Sequence, residues 1–338
     1  MAADLCARGR AGLMMVDVAI VAYRGWELTR SCLEHLRRQT LAHHVIVCDN
    51  GCDQDTARRL RERHPEVTVV RMERNMPYAV ACNAAVAAGD AELVVMMNND
   101  VDARPDFLER LLAPFATRPR LGSVAPLLLR PGEREVDSAG LVADPTLAGF
   151  PRCSGRPPTE VAAAAPVLTG PAGAAAAFRR CAWEQLGGLD ESIHAYLEDF
   201  DLALRLHVAG WETALALDAV AVHAGSATFG HRSAEQRRKL GHARAYLLRR
   251  YGVLRSQAAP RALATEAIVA AGDLLLSRDT AALAGRWAGW HAAAGRSRLS
   301  WPPAAAVDAR IGFLDSLRLR RGSYGRTAEA HPQMKRKV

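Results

Sequence analysis

Residues 92–100 read Glu-Leu-Val-Val-Met-Met-Asn-Asn-Asp. The apolar run Leu93–Met97 shows no alternation of polar and apolar positions, so a strand built from it has to be covered on both faces. It stops abruptly on Asn98, Asn99 and Asp100. Working back towards the start, an Ala-rich helical stretch lies at 79–88, VTVV at 67–70, a helix at 54–63, VIVC at 45–48, a helix at 26–38 and VDVAIVA at 16–22. Forward of the run come a helix opened by Pro105 and an apolar piece at 122–129. Buried strands alternating with helices define the α/β class, with a mostly parallel, Rossmann-like central sheet flanked by helices.

In such a sheet ligands gather beyond the C-terminal ends of the strands, where loops and helix N-termini converge. The residues at those ends are Tyr23-Arg24-Gly25, Asp49-Asn50-Gly51, Glu73-Arg74-Asn75 and Asn98-Asn99-Asp100. All four ends are polar. No G-x-G-x-x-G follows the first strand, which argues against a dinucleotide-dependent oxidoreductase.

The alternation fails after residue 130, and 131–165 reads as an irregular insert rich in Pro, Gly and Ala. Order returns with AGAAAAF at 172–178, a helix at 180–186, a Gly187-Gly188 turn, an amphipathic helix at 197–209 and a pair of strands at 212–223. From Ala234 the chain reads as helical or unstructured. The expected organisation is a disordered N-terminal extension (1–14), a catalytic unit (15–233), a helical C-terminal extension (234–305) and a basic, disordered tail (306–338). Met14 and Met15 are alternative starts.

The net charge of +8 is not spread over the chain. Between Arg286 and Val338 eleven basic residues face only Asp308, Asp315 and Glu329, so the body up to residue 285 is neutral. That distribution argues against a nucleic-acid enzyme, which carries positive charge along its binding face. It makes the C-terminal segment, with Trp287, Trp290 and Trp301 among arginines, a candidate for peripheral contact with an anionic membrane. The seven cysteines lack paired zinc-site spacing and read as reduced thiols of a cytoplasmic protein. No apolar run reaches the length of a membrane span.

Two carboxylate settings stand out. Asp100, at the end of a buried strand, is placed to hold Mg²⁺ or Mn²⁺ together with a substrate diphosphate; alone, an Asp there also caps a turn. In YLEDFDLALRLHVAGW, 196–211, Glu198, Asp199 and Asp201 open a helix, where acids suit the helix dipole whatever else they do. A group-transfer enzyme needs one carboxylate to take the acceptor proton, and Asp199 is the candidate. His223, after the last strand, is a candidate for completing a metal site through a neutral imidazole.

With these pieces assembled, the chain resembles the family 2 glycosyltransferases with the glycosyltransferase-A fold, and is similar in particular to the bacterial rhamnosyltransferase-like branch. The match runs from about Val16 to His231 through VDVAIVAYRGWELTRSCLEHLRRQT, VIVCDNGCDQDT, Asn75–Asn83, MMNNDVDARPDFLERL, LTGPAGAAAAFRR, GGLDES, YLEDFDLALRLHVAGW and AVAVHAGS. The resemblance implies a nucleotide diphosphate sugar donor, its base and ribose held by Tyr23 and Asp49, with Asn75 and Asn83 in the same pocket. Asn98-Asn99-Asp100 matches the family's Asp-x-Asp element, with Asp100 on the metal. Asp199 matches the base, with Glu198 beside it, and His223 the histidine that joins the metal. The implied activity is inverting transfer of a hexose, rhamnose among the candidates, to a glycan or lipid-linked acceptor in cell-envelope polysaccharide synthesis. Galactofuranose or glucose donors, and a catalytically silent sugar-nucleotide-binding protein, are the alternatives. Two departures bear on the donor loop: Asn75-Met76-Pro77-Tyr78-Ala79 carries a proline where the family has glycine, and Arg24 replaces the usual Asn.

Overall fold

The computed structural model describes residues 16–23, 25–51, 54–162, 167–225 and 233–325. The expected N-terminal extension, the two alternative starts, Arg24, His231 and the tail beyond residue 325 lie outside the described residues. The elements run β1 (Val16–Ala22), α1 (Trp26–Leu36), β2 (His44–Asp49), α2 (Gln54–Arg63), β3 (Thr68–Arg71), α3 (Tyr78–Ala87), β4 (Leu93–Asn98), β5 (Val101–Ala103), α4 (Phe107–Leu112) and β6 (Leu121–Leu129). They continue with β7 (Val136–Ser138), β8 (Leu141–Ala143), β9 (Gly149–Pro151), β10 (Ala175–Arg179), α5 (Arg180–Gln185), α6 (Glu198–Val208) and β11 (Glu212–His223). Four helices follow: α7 (Ala234–Arg250), α8 (Ala259–Ser277), α9 (Ala281–Ala292) and α10 (Phe313–Gly325).

The main sheet has the order β3-β2-β1-β4-β10-β6-β11-β5, with β7 on β6. β1 is parallel to both β2 and β4, and β2 to β3, as the alternation predicts. Beyond β4 the sheet is mixed: β10 runs antiparallel to β4 and β6, and β5 antiparallel to β11. Parallel neighbours need a crossover, usually a helix. The chain between β6 and β10 holds no α-helix among the described residues, so it returns in the opposite direction. The pair of strands expected at 212–223 is one strand, β11, whose register against β6 slips between Ala216 and Val220. Asp218 at that slip interrupts the apolar pattern as a turn would.

Successive side chains on a strand point to opposite faces, and the two cores follow from this. Val18 and Ile20 of β1 pack with Leu33 and Leu36 of α1 and Phe107 and Leu111 of α4 on one face. Ala19 and Val21 pack with Ala81 and Ala85 of α3 and Leu202 and Leu206 of α6 on the other. The opposite stripe of α6, Phe200 and Leu204, meets Tyr246 and Leu247 of α7, docking the C-terminal helices on the sheet.

α7 and α9 approach closely because glycine lies at the contact. A Cβ on Gly285 would fall 2.0 Å from Arg238 O, and one on Gly241 2.4 Å from Ala282 O. The segment 306–338 is not simply a tail: α10 occupies part of it, and its Ser316, fully buried, donates a 2.7 Å hydrogen bond to Asp144 Oδ2. Sequence patterning missed this because α10 carries only a weak apolar stripe and is held through polar contacts, Ser316 to Asp144 and Arg320 to Glu266. Among the described residues no helix is long and apolar enough to cross a membrane. Cys32, Cys48 and Cys82 are free and buried, and Cys153 is free and half-buried.

Candidate active site

The C-terminal ends of β1, β2 and β4 open on a cavity of about 710 Å³. Tyr23, Asn75, Asn98, Asn99, Asp100, Glu198, Asp199 and His223 line it, whereas Asp49 and Asn83 do not. Asp49 closes β2 and is buried, and its neighbour Asn50 reaches the cavity in its place. Asn83 lies behind the wall: its Oδ1 accepts from Leu189 N at 2.9 Å and its Nδ2 donates to Leu189 O at 3.0 Å, tying α3 to the turn after Gly188.

Asn50 explains how the loop tolerates Pro77. Its Nδ2 donates to Asn75 Oδ1 (3.2 Å) and Met76 O (3.0 Å), and its Oδ1 accepts from Met76 N (2.9 Å). Gly51, with φ +69°, lets the loop lie on the strand end, since a Cβ there would sit 2.3 Å from Asn75 N. Pro77 then serves as the N-cap of α3, a position that needs no amide hydrogen. Tyr78 extends from it, its hydroxyl donating to Asn98 Oδ1 at 2.7 Å. Asn99 Nδ2 donates to Thr29 Oγ1 at 2.9 Å. Both asparagines are therefore tied to their surroundings, and Asp100 is the acid of the trio.

Asp100 Oδ1 is buried and makes no hydrogen bond of good geometry; His223 Nε2 stands 3.4 Å from it, a charge contact. The other ring nitrogen, Nδ1, lies 2.8 Å from Asp137 Oδ2. Burial raises the Asp100 carboxyl, but His223 and backbone donors outweigh it and hold the group below its ordinary range. Burial lowers the His223 imidazole, yet the two flanking carboxylates lift it to about 10. A carboxylate on one imidazole nitrogen is what orients a histidine to present the other to a metal. Among the described residues no ready group of three or more His, Cys, Asp or Glu ligands exists. Asp100 and His223, the latter on giving up its proton, are the residues that could hold Mg²⁺ or Mn²⁺, ions that take much of their shell from substrate phosphates and water. Asp137 sits in β7, within the stretch read as an irregular insert; a lone Asp in a three-residue strand carries no periodic signal that marks it.

The start of α6 lines the same cavity. Tyr196 (φ 68°) and Leu197 (φ 64°) are both left-handed, a conformation that costs a non-glycine residue roughly 1–3 kcal/mol and is retained where the surroundings enforce it. This double turn brings Glu198 and Asp199 to the cavity at the positive end of the helix dipole. Asp199 Oδ2 accepts from Gly173 N and Oδ1 from Phe200 N, each at 2.7 Å. Burial raises the Asp199 carboxyl, and these backbone donors oppose the rise. Glu198 is raised to about 8 by burial and by the neighbouring Asp199 charge, and its Oε2 is buried without a partner. Two adjacent buried carboxyls resist ionising together, and the two backbone donors on Asp199, against the unpartnered Oε2 of Glu198, favour the charge on Asp199 and the proton on Glu198. The third acid, Asp201, is structural: fully buried, it pairs with Arg205 at 2.7 Å and accepts from Tyr251 Oη at 3.1 Å.

Comparison with known proteins bears on the family and the fold. The model of the family described as glycosyl transferase family 2 matches residues 17–185. An N-acetylglucosaminyl-diphospho-decaprenol L-rhamnosyltransferase of Mycobacterium tuberculosis is 29% identical over 201 residues, 53% of this chain and 66% of that protein. The O-antigen biosynthesis protein RfbC of Myxococcus xanthus is 29% identical over 220 residues, 60% of this chain and 16% of that protein. The chain thus spans just under two thirds of the first relative and a small part of the second. Among solved structures, GalNAc-T7 with UDP, GalNAc and Mn²⁺ superposes with a TM-score of 0.55 at 14% identity, over 69% of this chain and 48% of that one. S. aureus TarS 1–349 in complex with UDP-GlcNAc gives 0.51 at 14% identity, over 70% and 67%. At such identities the likeness is one of fold.

Proposed function

The chain belongs to glycosyl transferase family 2 and has the glycosyltransferase-A fold, and from that premise we propose that it moves a hexose from a nucleotide diphosphate sugar to an acceptor hydroxyl with inversion. The observation that carries this reading is a single cavity lined by Asp100, His223 and Asp137 and by a backbone-held Asp199. Asp199 takes the proton of the acceptor hydroxyl as that oxygen attacks the anomeric carbon from the face opposite the leaving diphosphate. Its two amide donors fix the carboxylate without consuming its charge. Glu198, protonated, keeps a second negative charge from competing for the acceptor. Tyr23 and the Asn50–Asn75 loop form the wall for base and ribose. Asp100 and His223 would hold Mg²⁺ or Mn²⁺, which when bound would supply positive charge against the departing diphosphate.

Rhamnose as the sugar and a lipid-linked envelope glycan as acceptor are the finer reading, supported by likeness to the mycobacterial rhamnosyltransferase. A peripheral position at the inner face of the membrane is supported by exposed Leu275, Leu276, Leu283 and Trp287 on α8 and α9, near arginines. Nucleic acid is not among the partners in this reading. The test is a thermal-shift screen of nucleotide sugars with and without Mn²⁺, followed by transfer assays with the best donor. Stabilisation by one nucleotide sugar that depends on Mn²⁺ is expected; no stabilisation by any would overturn the reading.

A further inference from the structure

The cavity has a second end that the transfer chemistry leaves unused. Its wall there is formed by the four C-terminal helices, through Arg244 of α7, Asp273 of α8, Arg286 of α9 and Arg320 of α10. Three guanidiniums converge on one carboxylate of α8. Glu266 Oε1 lies 2.7 Å from Arg244 Nε and 3.1 Å from Arg320 Nη1, and Oε2 lies 3.4 Å from Arg286 Nη2. Burial alone would raise Glu266, yet the arginines hold it down at about 2. The other acid, Asp273, lies 3.6 Å from Arg286 Nη1. Arg244 also feels Asp144, which lies 3.4 Å from Arg261, so four positive charges face three negative ones. Arg237 pairs with Asp279, and Lys239 with Glu235 at 3.0 Å, so neither offsets the excess.

The three arginines are not equivalent. Arg244 is committed to structure, donating to Leu147 O at 2.5 Å and Thr146 O at 3.1 Å as well as to Glu266. Arg286 has only long contacts, to Ala282 O and Glu266 at 3.4 Å and to Asp273 at 3.6 Å, and its Nε is buried with no hydrogen-bond partner. Its backbone is pinned against α7, since no Cβ fits at the adjacent Gly285. A fixed guanidinium with unspent donors, in a cavity wall carrying surplus positive charge, is the arrangement that recognises a phosphate.

We propose that this basic end binds the phosphate or diphosphate ester through which the acceptor is carried, with Arg286 as its main contact. The proposal rests on the transferase reading and assigns the acceptor class: a sugar on an anionic phosphate ester. The donor's own diphosphate belongs with Asp100 in the transferase reading, so the cavity would take two anionic groups on separate sets of residues.

The test uses the full chain with geranyl diphosphate, inorganic pyrophosphate and geraniol as probes in calorimetry, with EDTA present to silence the metal end. Wild type is expected to bind geranyl diphosphate and not geraniol. Arg286→Gln should weaken that binding tenfold or more, and Asp273→Asn, which removes a competing anion, should tighten it. Opposite signs from two substitutions in one wall cannot come from unfolding. Pyrophosphate binding as tight as geranyl diphosphate supports a site for the phosphates alone; weaker pyrophosphate binding adds the lipid chain to the recognised group. No binding by wild type, or binding untouched by Arg286→Gln, overturns the proposal. UDP and UDP-glucose with Mn²⁺ are measured alongside: loss of all nucleotide binding while geranyl diphosphate still binds would sink the transferase reading and leave this site standing.

Discussion

Asp199 is held through both oxygens, and this decides what its substitution does. Asp199→Asn removes the base and leaves one backbone N–H facing an amide NH₂, so transfer is expected to fall about 10²–10⁴-fold with a stability loss of about 1 kcal/mol. Donor affinity measured by calorimetry should stay within about twofold; an equal loss of binding and rate would take the base role away. Asp137→Asn is expected to lower Mn²⁺ affinity about 10–100-fold by releasing His223, and unchanged metal titration would remove Asp137 from the site. Glu198 supplies a pH test. Its folded value of about 8 lies above the ordinary 4.5, so the folded state holds a proton that the unfolded chain releases between those values. Stability therefore declines as pH rises through that window, and melting temperatures of Glu198→Gln should decline less steeply. Asp100 and Asp199 were legible because each follows a strand end or opens a patterned helix. Asp137 was not, since a lone Asp in a loop does not stand out and only the fold brings it to the cavity; at the end of β2 the pattern marked the right place, and the fold turns Asn50 rather than Asp49 into the cavity.

At the scale of elements, reading was reliable where burial imposed a period. β1, β2 and β4 with α1, α3 and α6 follow from apolar pattern alone. It failed where neighbours decide: the direction of β10, the slipped register of β11 and the anchoring of α10 depend on contacts distant in sequence. The α7–α9 seam is one such contact, with glycine spacing as its only trace in the chain. Gly285→Ala would force a Cβ to 2.0 Å from a backbone oxygen, and overpacking of this kind costs about 1–3 kcal/mol, measurable by urea denaturation. The exposed side of α8 and α9 is tested separately. Leu276 and Trp287 are 88% and 68% exposed, so Leu276→Glu with Trp287→Glu should leave folding intact and abolish sedimentation with anionic vesicles. Retained sedimentation would remove this face from membrane contact.

Over the whole molecule, the neutral body and basic end described by the charge count are brought together by the fold. Arg286 and Arg320 of the segment read as surface-facing instead help to enclose the cavity that contains Asp199. The catalytic unit and the helical extension therefore share their working surface, and the boundary near residue 233 is a boundary of sequence pattern only. Ser316 makes this concrete for anyone shortening the gene. A clone stopped at residue 305 to obtain a tidier protein would strip the hydroxyl from Asp144 and unroof the chamber. Inactivity in that trimmed product would report a damaged vessel rather than a missing lipid tether.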